Sequence, residues 1–237
     1  MKKLFTALVA LVLSLSVSAQ FYIYCSNGDV LEVDSISLVK PDNSNNHEYV
    51  DLGLSVKWAT CNVGANAPEE YGYYFAWGEV EQKTNYSWST YKYGTNWNQL
   101  TKYCTDNSYG KDGFTDSKTV LDPEDDAATA NWGGAWRMPT TEEQQELINN
   151  CTWTWTTQNG VNGYKVTGPN GNSIFLPVAG YMNEGTLYDA GSRSYYWSSS
   201  LYAGNPNGAY DVNFSSDYVD WNGGIRRNGQ SVRPVCQ

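Results

Sequence analysis

The fold that is predicted for this chain follows from two C-terminal segments, Tyr195-Tyr196-Trp197-Ser198-Ser199-Ser200 and Gly229-Gln230-Ser231-Val232-Arg233-Pro234-Val235-Cys236. Both carry enough apolar residues to pack in an interior, whereas the residues between them are rich in Asn, Asp, Tyr, Gly and Ser. Binding residues concentrate on loops that packed elements hold in place. The two segments therefore predict a rigid frame, and the polar stretch between them predicts a recognition surface.

A β-strand is predicted within this polar stretch, because apolar and polar residues alternate along part of it. Successive side chains of a strand point to opposite faces. Tyr210, Val212 and Phe214 are therefore expected to be buried, and Asp211 and Asn213 are expected to be exposed.

The same alternation continues in the next predicted strand. It places Val219 and Trp221 inside, and it places Tyr218, Asp220 and Asn222 outside. A loop that presents polar side chains is predicted at residues 222–229.

The predicted binding face consists of the exposed polar and aromatic residues of this region. It is expected to act by Tyr and Trp stacking and by hydrogen bonds from Asn, Asp and Arg, without covalent chemistry. Its predicted members are Tyr202, Asn205, Asn207, Asp211, Asn213, Ser215, Tyr218, Asp220, Asn222, Ile225, Arg226, Arg227 and Asn228.

The N-terminus has the pattern of a cleaved secretory signal, in which Lys2 and Lys3 precede an apolar stretch too short to span a membrane comfortably. An Asn27-Gly28 turn between two alternating stretches predicts a β-hairpin after it. The predicted organisation is a signal peptide at 1–19, a β-hairpin leader at 20–40, a linker at 41–47 and a main domain at 48–237. We therefore expect a protein that is secreted or displayed at the cell surface, with no membrane insertion.

Charge narrows the classes of partner. Removal of the signal leaves 13 Lys and Arg against 25 Asp and Glu, a net charge of −12. Nucleic acid binding relies on basic residues that contact phosphates, so a nucleic acid partner is not expected. A protein or glycan ligand on another surface is expected instead, and the sequence leaves the oligomeric state open.

An α+β architecture is predicted, because many short strands accompany few helices. The clearest helix begins after Thr140, which can form a capping box with Glu143. A long polar segment at 82–122 is expected to be a loop packed by its own tyrosines. Arg137 and Arg233 are expected to pair with acidic residues in the core.

Five motifs in order carry a resemblance to a known family. They are Asp51-Leu52-Gly53-Leu54-Ser55-Val56-Lys57-Trp58-Ala59-Thr60-Cys61-Asn62-Val63-Gly64, Tyr74-Phe75-Ala76-Trp77-Gly78-Glu79, Trp132-Gly133-Gly134-Ala135-Trp136-Arg137-Met138-Pro139-Thr140, Tyr196-Trp197-Ser198-Ser199-Ser200 and Ser231-Val232-Arg233-Pro234-Val235. Together they resemble the Fibrobacter succinogenes major paralogous domain. The resemblance implies a C-type lectin-like fold of the formylglycine-generating-enzyme type, with short helices, small twisted antiparallel sheets and a ligand face on the C-terminal strands.

The C-terminal segment is also similar to the variable regions of proteins that diversity-generating retroelements diversify. Such regions change Asn, Asp, Tyr, Ser and Gly positions between fixed apolar ones. A fixed family member with ordinary polar loops is the alternative explanation of the same residues.

Catalysis is not expected. A Ser-His-Asp triad needs a base beside its nucleophile, and the only histidine, His47, lies in the predicted linker. The formylglycine enzyme uses paired active-site cysteines, and Cys236 has no cysteine near it in the sequence. No cofactor is expected, although Asp217, Asp220 and Asn222 could contribute oxygen ligands to calcium.

Three functional hypotheses follow. The first is a ligand-binding protein that uses the C-terminal face. The second is an assembly subunit of a bacterial surface appendage, in which the N-terminal hairpin adds a strand to a partner. The third is an enzyme, for which no acid–base constellation is visible in the sequence.

Overall fold

A computed structural model describes residues 21–24, 30–33, 47–202 and 204–237, and the chain divides into two units, Met1–Pro41 and Asp42–Gln237. In the first unit, β1 (Phe21–Tyr24) pairs antiparallel with β2 (Val30–Val33). The predicted signal at 1–19, the Asn27-Gly28 turn and residues 41–46 of the predicted linker lie outside the described residues.

Short strands and a few short helices make up the described part of the second unit. The strands are β3 (Tyr49–Val50), β4 (Lys57–Ala59), β5 (Thr152–Gln158), β6 (Val161–Thr167), β7 (Ser173–Pro177), β8 (Tyr181–Asn183), β9 (Thr186–Tyr188), β10 (Arg193–Leu201), β11 (Gly208–Ser215), β12 (Tyr218–Ile225) and β13 (Val235–Cys236). The α-helices are α1 (Ala127–Trp132) and α2 (Thr141–Asn150), and single 3₁₀ turns lie at Trp88–Thr90, Lys111–Gly113 and Pro123–Asp125.

The strands form small antiparallel sheets with the orders β13-β4-β3, β5-β6-β7, β10-β11-β12 and β8-β9. Small antiparallel sheets with a few short helices constitute an α+β architecture, which confirms the predicted class. No helix among the described residues has both the length and the apolar character needed to cross a bilayer.

The predicted capping box begins α2. The Thr140 hydroxyl accepts a hydrogen bond from the Glu143 amide at 3.3 Å, and the Glu143 carboxylate accepts one from the Thr140 amide at 2.8 Å. Arg137 donates two hydrogen bonds to the same carboxylate, which confirms the acidic partner expected for it. The buried Leu147 side chain then anchors the helix on the core.

The long polar segment packs by its own aromatic rings, as predicted. Tyr86, Tyr91, Tyr93 and Tyr103 are all buried. The Tyr103 ring lies edge-on to Trp77 at a centroid distance of 5.1 Å. The segment is therefore held by side-chain burial rather than by regular backbone pairing.

Strand β10 contributes to two hydrophobic clusters, because its successive residues face opposite ways. Trp197 belongs to the cluster that contains Trp77, and Tyr196 belongs to the cluster that contains Trp58 and Phe214. All five side chains are at most 3% exposed. The sheet β10-β11-β12 consequently has apolar packing on both faces near its β10 side.

Arg233 is buried in the core without an acidic partner, which corrects the expectation for this residue. Its guanidinium donates to the Asn62 side chain at 2.8 Å and to the backbone carbonyls of Ala59, Thr60 and Phe175 at 2.7–3.0 Å. Backbone carbonyl oxygens carry partial negative charge and accept hydrogen bonds, so three of them and the Asn62 amide oxygen take the place of a carboxylate here.

Arg233→Ala is expected to lower the free energy of unfolding by about 3–5 kcal/mol, because it leaves several buried acceptors without a donor. Arg193→Ala, which removes an exposed guanidinium, is expected to change it by about 0.5 kcal/mol or less. Urea unfolding followed by tryptophan fluorescence measures both. Equal midpoints for the two variants would contradict this role of Arg233.

Candidate ligand-binding pocket

The hairpin β11–β12 keeps an unbroken register from the Gly208–Ile225 pair to the Ser215–Tyr218 pair. Strand β12 therefore runs through Ile225, which corrects the prediction of a loop at 222–229. Backbone pairing with β11 prevails there over the turn propensity of Asn222-Gly223-Gly224.

The predicted alternation of β11 holds for the side chains' directions but not for their exposure. Val212 and Phe214 lie in the core, at 2% and 0% exposure. Asp211 and Asn213 point the other way, yet they are only 2% and 9% exposed. The prediction that these two polar side chains are exposed is therefore wrong.

The cause is a chain segment that covers this face of the sheet. Residues 229–231 form backbone hydrogen bonds with Met182 of β8, with Phe75 and with Trp197 of β10. The segment places the Gln230 amide 2.8 Å from the Asp211 carboxylate. A pattern within β11 cannot indicate that another segment lies over it.

The expectation that Trp221 is inside is also wrong, because its side chain is 41% exposed. It pairs with Val212 across the sheet, but its ring packs on Tyr210, which in turn contacts Tyr202. These three rings form a partly exposed aromatic group at the outer edge of the sheet.

A concave pocket with a volume of about 340 Å³ opens on the covered face. Its walls come from β8, β10, β11, β12 and the segment after β12. The lining residues are Tyr181, Arg193, Tyr195, Asp211, Asn213, Tyr218, Asn222, Gly223, Gly224, Asn228 and Gln230.

Hydrogen-bond acceptors dominate the buried part of this pocket. The two oxygens of Asp211 accept from the amide nitrogens of Asn213 at 3.3 Å and Gln230 at 2.8 Å. The side-chain carbonyl oxygens of Asn228 and Gln230 are buried and have no hydrogen-bond partner. Buried polar atoms are nearly always paired, so these two oxygens mark a place where water or a ligand group supplies the missing donor.

Asp211 is a buried carboxyl group with an unusually high pKa. Burial raises its pKa to about 7, although hydrogen bonds from Gln230 and Asn213 favour the charged form. Among the described residues, no Lys or Arg forms an ion pair with it. The carboxylate is therefore held by amides alone. Together with the buried oxygens of Asn228 and Gln230, it is called the pocket floor below.

Arg193 lies at the pocket rim and is held by aromatic neighbours. Its guanidinium donates to the Tyr195 hydroxyl at 3.3 Å and lies over the Tyr218 ring, 5.6 Å from the centroid. The Tyr195 hydroxyl donates in turn to Asp189 at 3.0 Å. The rim is thus cationic and aromatic, whereas the floor is acidic.

Gly224 allows the floor to approach the backbone of β12. A Cβ atom at this position would lie 2.4 Å from the Asp211 carboxylate and 2.5 Å from the Gln230 amide. Both distances are shorter than any normal contact, so a side chain there would displace the Asp211 carboxylate and the Gln230 amide that donates to it.

The structure brings some of the predicted binding residues together and separates others. Asp211, Asn213, Tyr218, Asn222 and Asn228 line the pocket. The remaining residues lie outside its lining: Tyr202, Asn205, Asn207, Ser215, Asp220, Ile225, Arg226 and Arg227. Of these, Asp220 and Ile225 are exposed, and Arg226 is fully buried.

Arg226 is a core residue, which corrects its predicted place on the exposed face. Its guanidinium donates to the carbonyls of Lys102, Tyr103 and Pro206, and it packs over the Trp77 ring. Arg227 is half-buried and donates to the Tyr86 carbonyl and to Asn183. The terminal guanidinium nitrogens of Arg226 donate to the long polar segment and to Pro206, so they do not clamp a ligand carboxylate.

Sequence reasoning missed Tyr181, Arg193, Tyr195 and Gln230. The register pairs Tyr195 with Asn213, which puts the tyrosine on the pocket face. That pairing requires knowledge of which strands are neighbours. Gln230 was assigned to the rigid frame, and its polar side chain between Gly229 and Ser231 was the available signal.

A separate acidic group lies beside the long polar segment. Carboxylate oxygens of Asp122, Glu124 and Asp125 lie within 4.8 Å of one another, close enough to share a metal ion. The Lys102 ammonium lies 2.6 Å from Asp122 and from Asp125, and Lys118 and Lys92 pair with the same two residues, so three ammonium groups offset the three carboxylates. Asp217, Asp220 and Asn222, whose oxygens could contribute to a calcium site according to the sequence, do not belong to this group.

Asp125 is held in its charged form. Burial alone would raise its pKa, but hydrogen bonds from Lys102, Tyr93, Tyr103 and Lys92 outweigh that effect and keep the pKa well below its usual range. This carboxylate is therefore a structural anion for the aromatic segment.

The residues considered for catalysis have structural partners. His47 stacks on the Trp132 ring at a centroid distance of 3.7 Å. The hydroxyls of Ser198 and Ser199 donate to backbone carbonyls, and the Ser200 hydroxyl accepts from a backbone amide. The described cysteines, Cys61, Cys104, Cys151 and Cys236, are free thiols, and Cys25 lies outside the described residues.

Asp211→Asn is expected to stabilise the protein at pH 8 by about 1–4 kcal/mol. The native pKa of about 7 exceeds the usual value of 3.8, so the folded state binds more protons than the unfolded state between those values. Asp211 therefore costs stability as the pH rises from about 4 to 7, and the full cost is present above pH 7.

Urea unfolding at pH 4 and pH 8 tests this dependence. The variant is expected to match the parent at pH 4 and to exceed it at pH 8. Asp220→Asn removes the same charge from an exposed position of β12 and serves as the control. A lower stability of Asp211→Asn at pH 8 would show that the carboxylate is paired.

Comparisons of the chain with protein-family models, with curated proteins and with solved structures returned no match. The resemblance to the major paralogous domain and the C-type lectin-like fold therefore stays a prediction. The function proposed for the pocket therefore rests on the residues that line it.

Proposed function

We propose that this chain is a secreted or surface-displayed protein that binds a ligand noncovalently in the pocket on the β10-β11-β12 sheet. The observation that carries the proposal is the set of buried acceptors that face this pocket without a donor: the carbonyl oxygens of Asn228 and Gln230 beside the carboxylate of Asp211.

Energetics favour a ligand over a structural explanation of these groups. A buried polar atom that lacks a hydrogen bond costs about 1–3 kcal/mol. Such a cost persists in functional sites, where a ligand supplies the missing partner. All three groups belong to residues that line one pocket, so a single ligand group there is the simplest common partner for them.

The sequence resemblance is consistent with this proposal. A C-type lectin-like fold places its ligand face on the C-terminal strands, and the pocket lies on β10, β11 and β12. The observed small antiparallel sheets and short helices are compatible with that fold. In this proposal the ligand is a protein or a glycan, and binding involves no catalysis and no cofactor. Binding is measured with and without calcium in the buffer.

Replacement of the rim residues tests the assignment of the pocket. The double variant Arg193→Ala/Tyr218→Ala removes a guanidinium and the ring beneath it, and it is expected to reduce capture on glycan and protein arrays at least tenfold. A tenfold loss corresponds to about 1.4 kcal/mol, which is modest for an aromatic and a charged contact.

The chain offers a matched control on another sheet. Lys57 lies over the exposed Tyr49 ring at 5.0 Å, so Lys57→Ala/Tyr49→Ala removes the same kind of pair far from the pocket lining. Circular dichroism and thermal melting check that both variants fold. Unchanged capture by the rim variant, or an equal loss in both variants, would reject the pocket as the binding site.

A further inference from the structure

We propose that the ligand group bound at the floor of this pocket is a primary ammonium, as carried by an amino sugar or by a lysine side chain. The inference rests on the proposed function and narrows it to one class of chemistry. It follows from the hydrogen-bond capacity, the charge and the aromatic walls of the pocket.

The hydrogen-bond capacity of the floor matches an ammonium. Unsatisfied acceptors are the carbonyl oxygens of Asn228 and Gln230, and the Asp211 carboxylate retains lone pairs beyond the two amide hydrogen bonds that it accepts. An ammonium has three N–H donors and no acceptor. A hydroxyl brings only one donor, and its own lone pairs would face oxygens.

The charge of the floor points the same way. Gln230 is 2% exposed, so its unpaired oxygen and the neighbouring Asp211 carboxylate lie in a place where solvent screening is weak. Among the described residues Asp211 has no cationic partner. A buried carboxylate is strongly stabilised by a hydrogen-bonded cation, and the acidic chain as a whole attracts one.

Tyrosine rings surround the approach to the floor. Tyr181, Tyr195 and Tyr218 line the pocket, and the rings of Tyr181 and Tyr195 meet edge to face at 5.1 Å. Aromatic faces attract cations, as the position of Arg193 over the Tyr218 ring already shows. Arg193 remains at the rim, where it favours ligands that carry neutral or acidic groups next to the ammonium.

A metal ion fits the floor less well than an ammonium. Calcium requires six or more oxygen ligands. The Asp211 carboxylate and the unpaired oxygens of Asn228 and Gln230 supply fewer oxygens than that.

Ionisation of Asp211 makes the expected affinity for an ammonium depend on pH. The other titratable or charged groups that line the pocket are Arg193 and Tyr195 on β10, Tyr181 on β8 and Tyr218 on β12. Burial raises the pKa of Tyr181, and it raises the pKa of Tyr195 to about 12. Asp211 is therefore the pocket group that changes charge between pH 5.5 and 7.0, the range in which an ammonium ligand stays protonated.

Binding of small probes to the full-length mature protein tests the inference, with NMR or calorimetry as the readout. Glucosamine is compared with N-acetylglucosamine and glucose, and Nα-acetyl-lysine amide is compared with its Nε-acetylated form. The ammonium probe of at least one pair is expected to bind at least tenfold more tightly than its neutral counterparts. The pair that responds distinguishes an amino sugar from a lysine side chain.

Variants and pH complete the test. Asp211→Asn is expected to abolish the preference for the ammonium probe, whereas Asp220→Asn, which removes an exposed charge from the same hairpin, is expected to retain it. Affinity for the ammonium probe is expected to rise about tenfold from pH 5.5 to 7.0 as Asp211 ionises. A neutral ligand that accepts a hydrogen bond from protonated Asp211 would show the opposite trend.

Three outcomes would overturn the inference: equal binding of ammonium and neutral probes, ammonium binding that Asp211→Asn does not change, or a response to calcium chloride alone. If array capture still depends on Arg193 and Tyr218 in any of these cases, the proposed function stands and only the ammonium class falls. If capture is also independent of the rim residues, both proposals fall.

Discussion

The hydrogen bonds of the buried Arg233 guanidinium are the interaction on which the rest of this structure depends. It joins the end of β4, the Asn62 side chain and β7 to the C-terminal segment through four hydrogen bonds of 2.7–3.0 Å. Because the same segment also carries Gln230, its anchorage fixes the cover of the pocket. A buried cation that satisfies backbone carbonyls therefore determines where the buried acceptors of the pocket lie.

The pocket lies where the packing of β10 and β11 changes from apolar to polar. On one face of these strands, Trp197 and Ala209 belong to a hydrophobic cluster. On the same face, Asp211 and Asn213 lie beside the concavity. The pocket is a continuation of the core in which oxygen and nitrogen atoms replace carbon, so residues such as Asp211 and Gln230 are buried although they border a concavity.

Local sequence signals predicted the parts of the fold that depend on neighbouring residues. The capping box of Thr140 and Glu143 and the inward direction of Val212 and Phe214 follow from short-range patterns. The burial of Asp211 does not, because it results from a segment that is distant in sequence. Pairing between strands and coverage by loops are nonlocal properties, and a single sequence carries only weak information about them.

The same difference between local and nonlocal information decides which residues of the candidate site could be predicted. Residues on β11 and β12 could be predicted as one face of a hairpin, whereas Tyr181 and Arg193 join the site only through the arrangement of separate strands. Arg226 shows the reverse error. Its place in a polar stretch suggested exposure, but it is buried and donates to Lys102 and Tyr103 of the long polar segment and to Pro206.

Strand β12 is the outer strand of its sheet, and this position restricts how the site can evolve. An open sheet edge invites strand addition by another molecule, and charged residues and glycines on the edge reduce that hazard. Asp220, Asn222 and Gly223 are exposed on this strand. Asn222 and Gly223 also line the pocket, so apolar replacements there that strengthened ligand contacts would also promote aggregation, and solubility and affinity are coupled at these two positions.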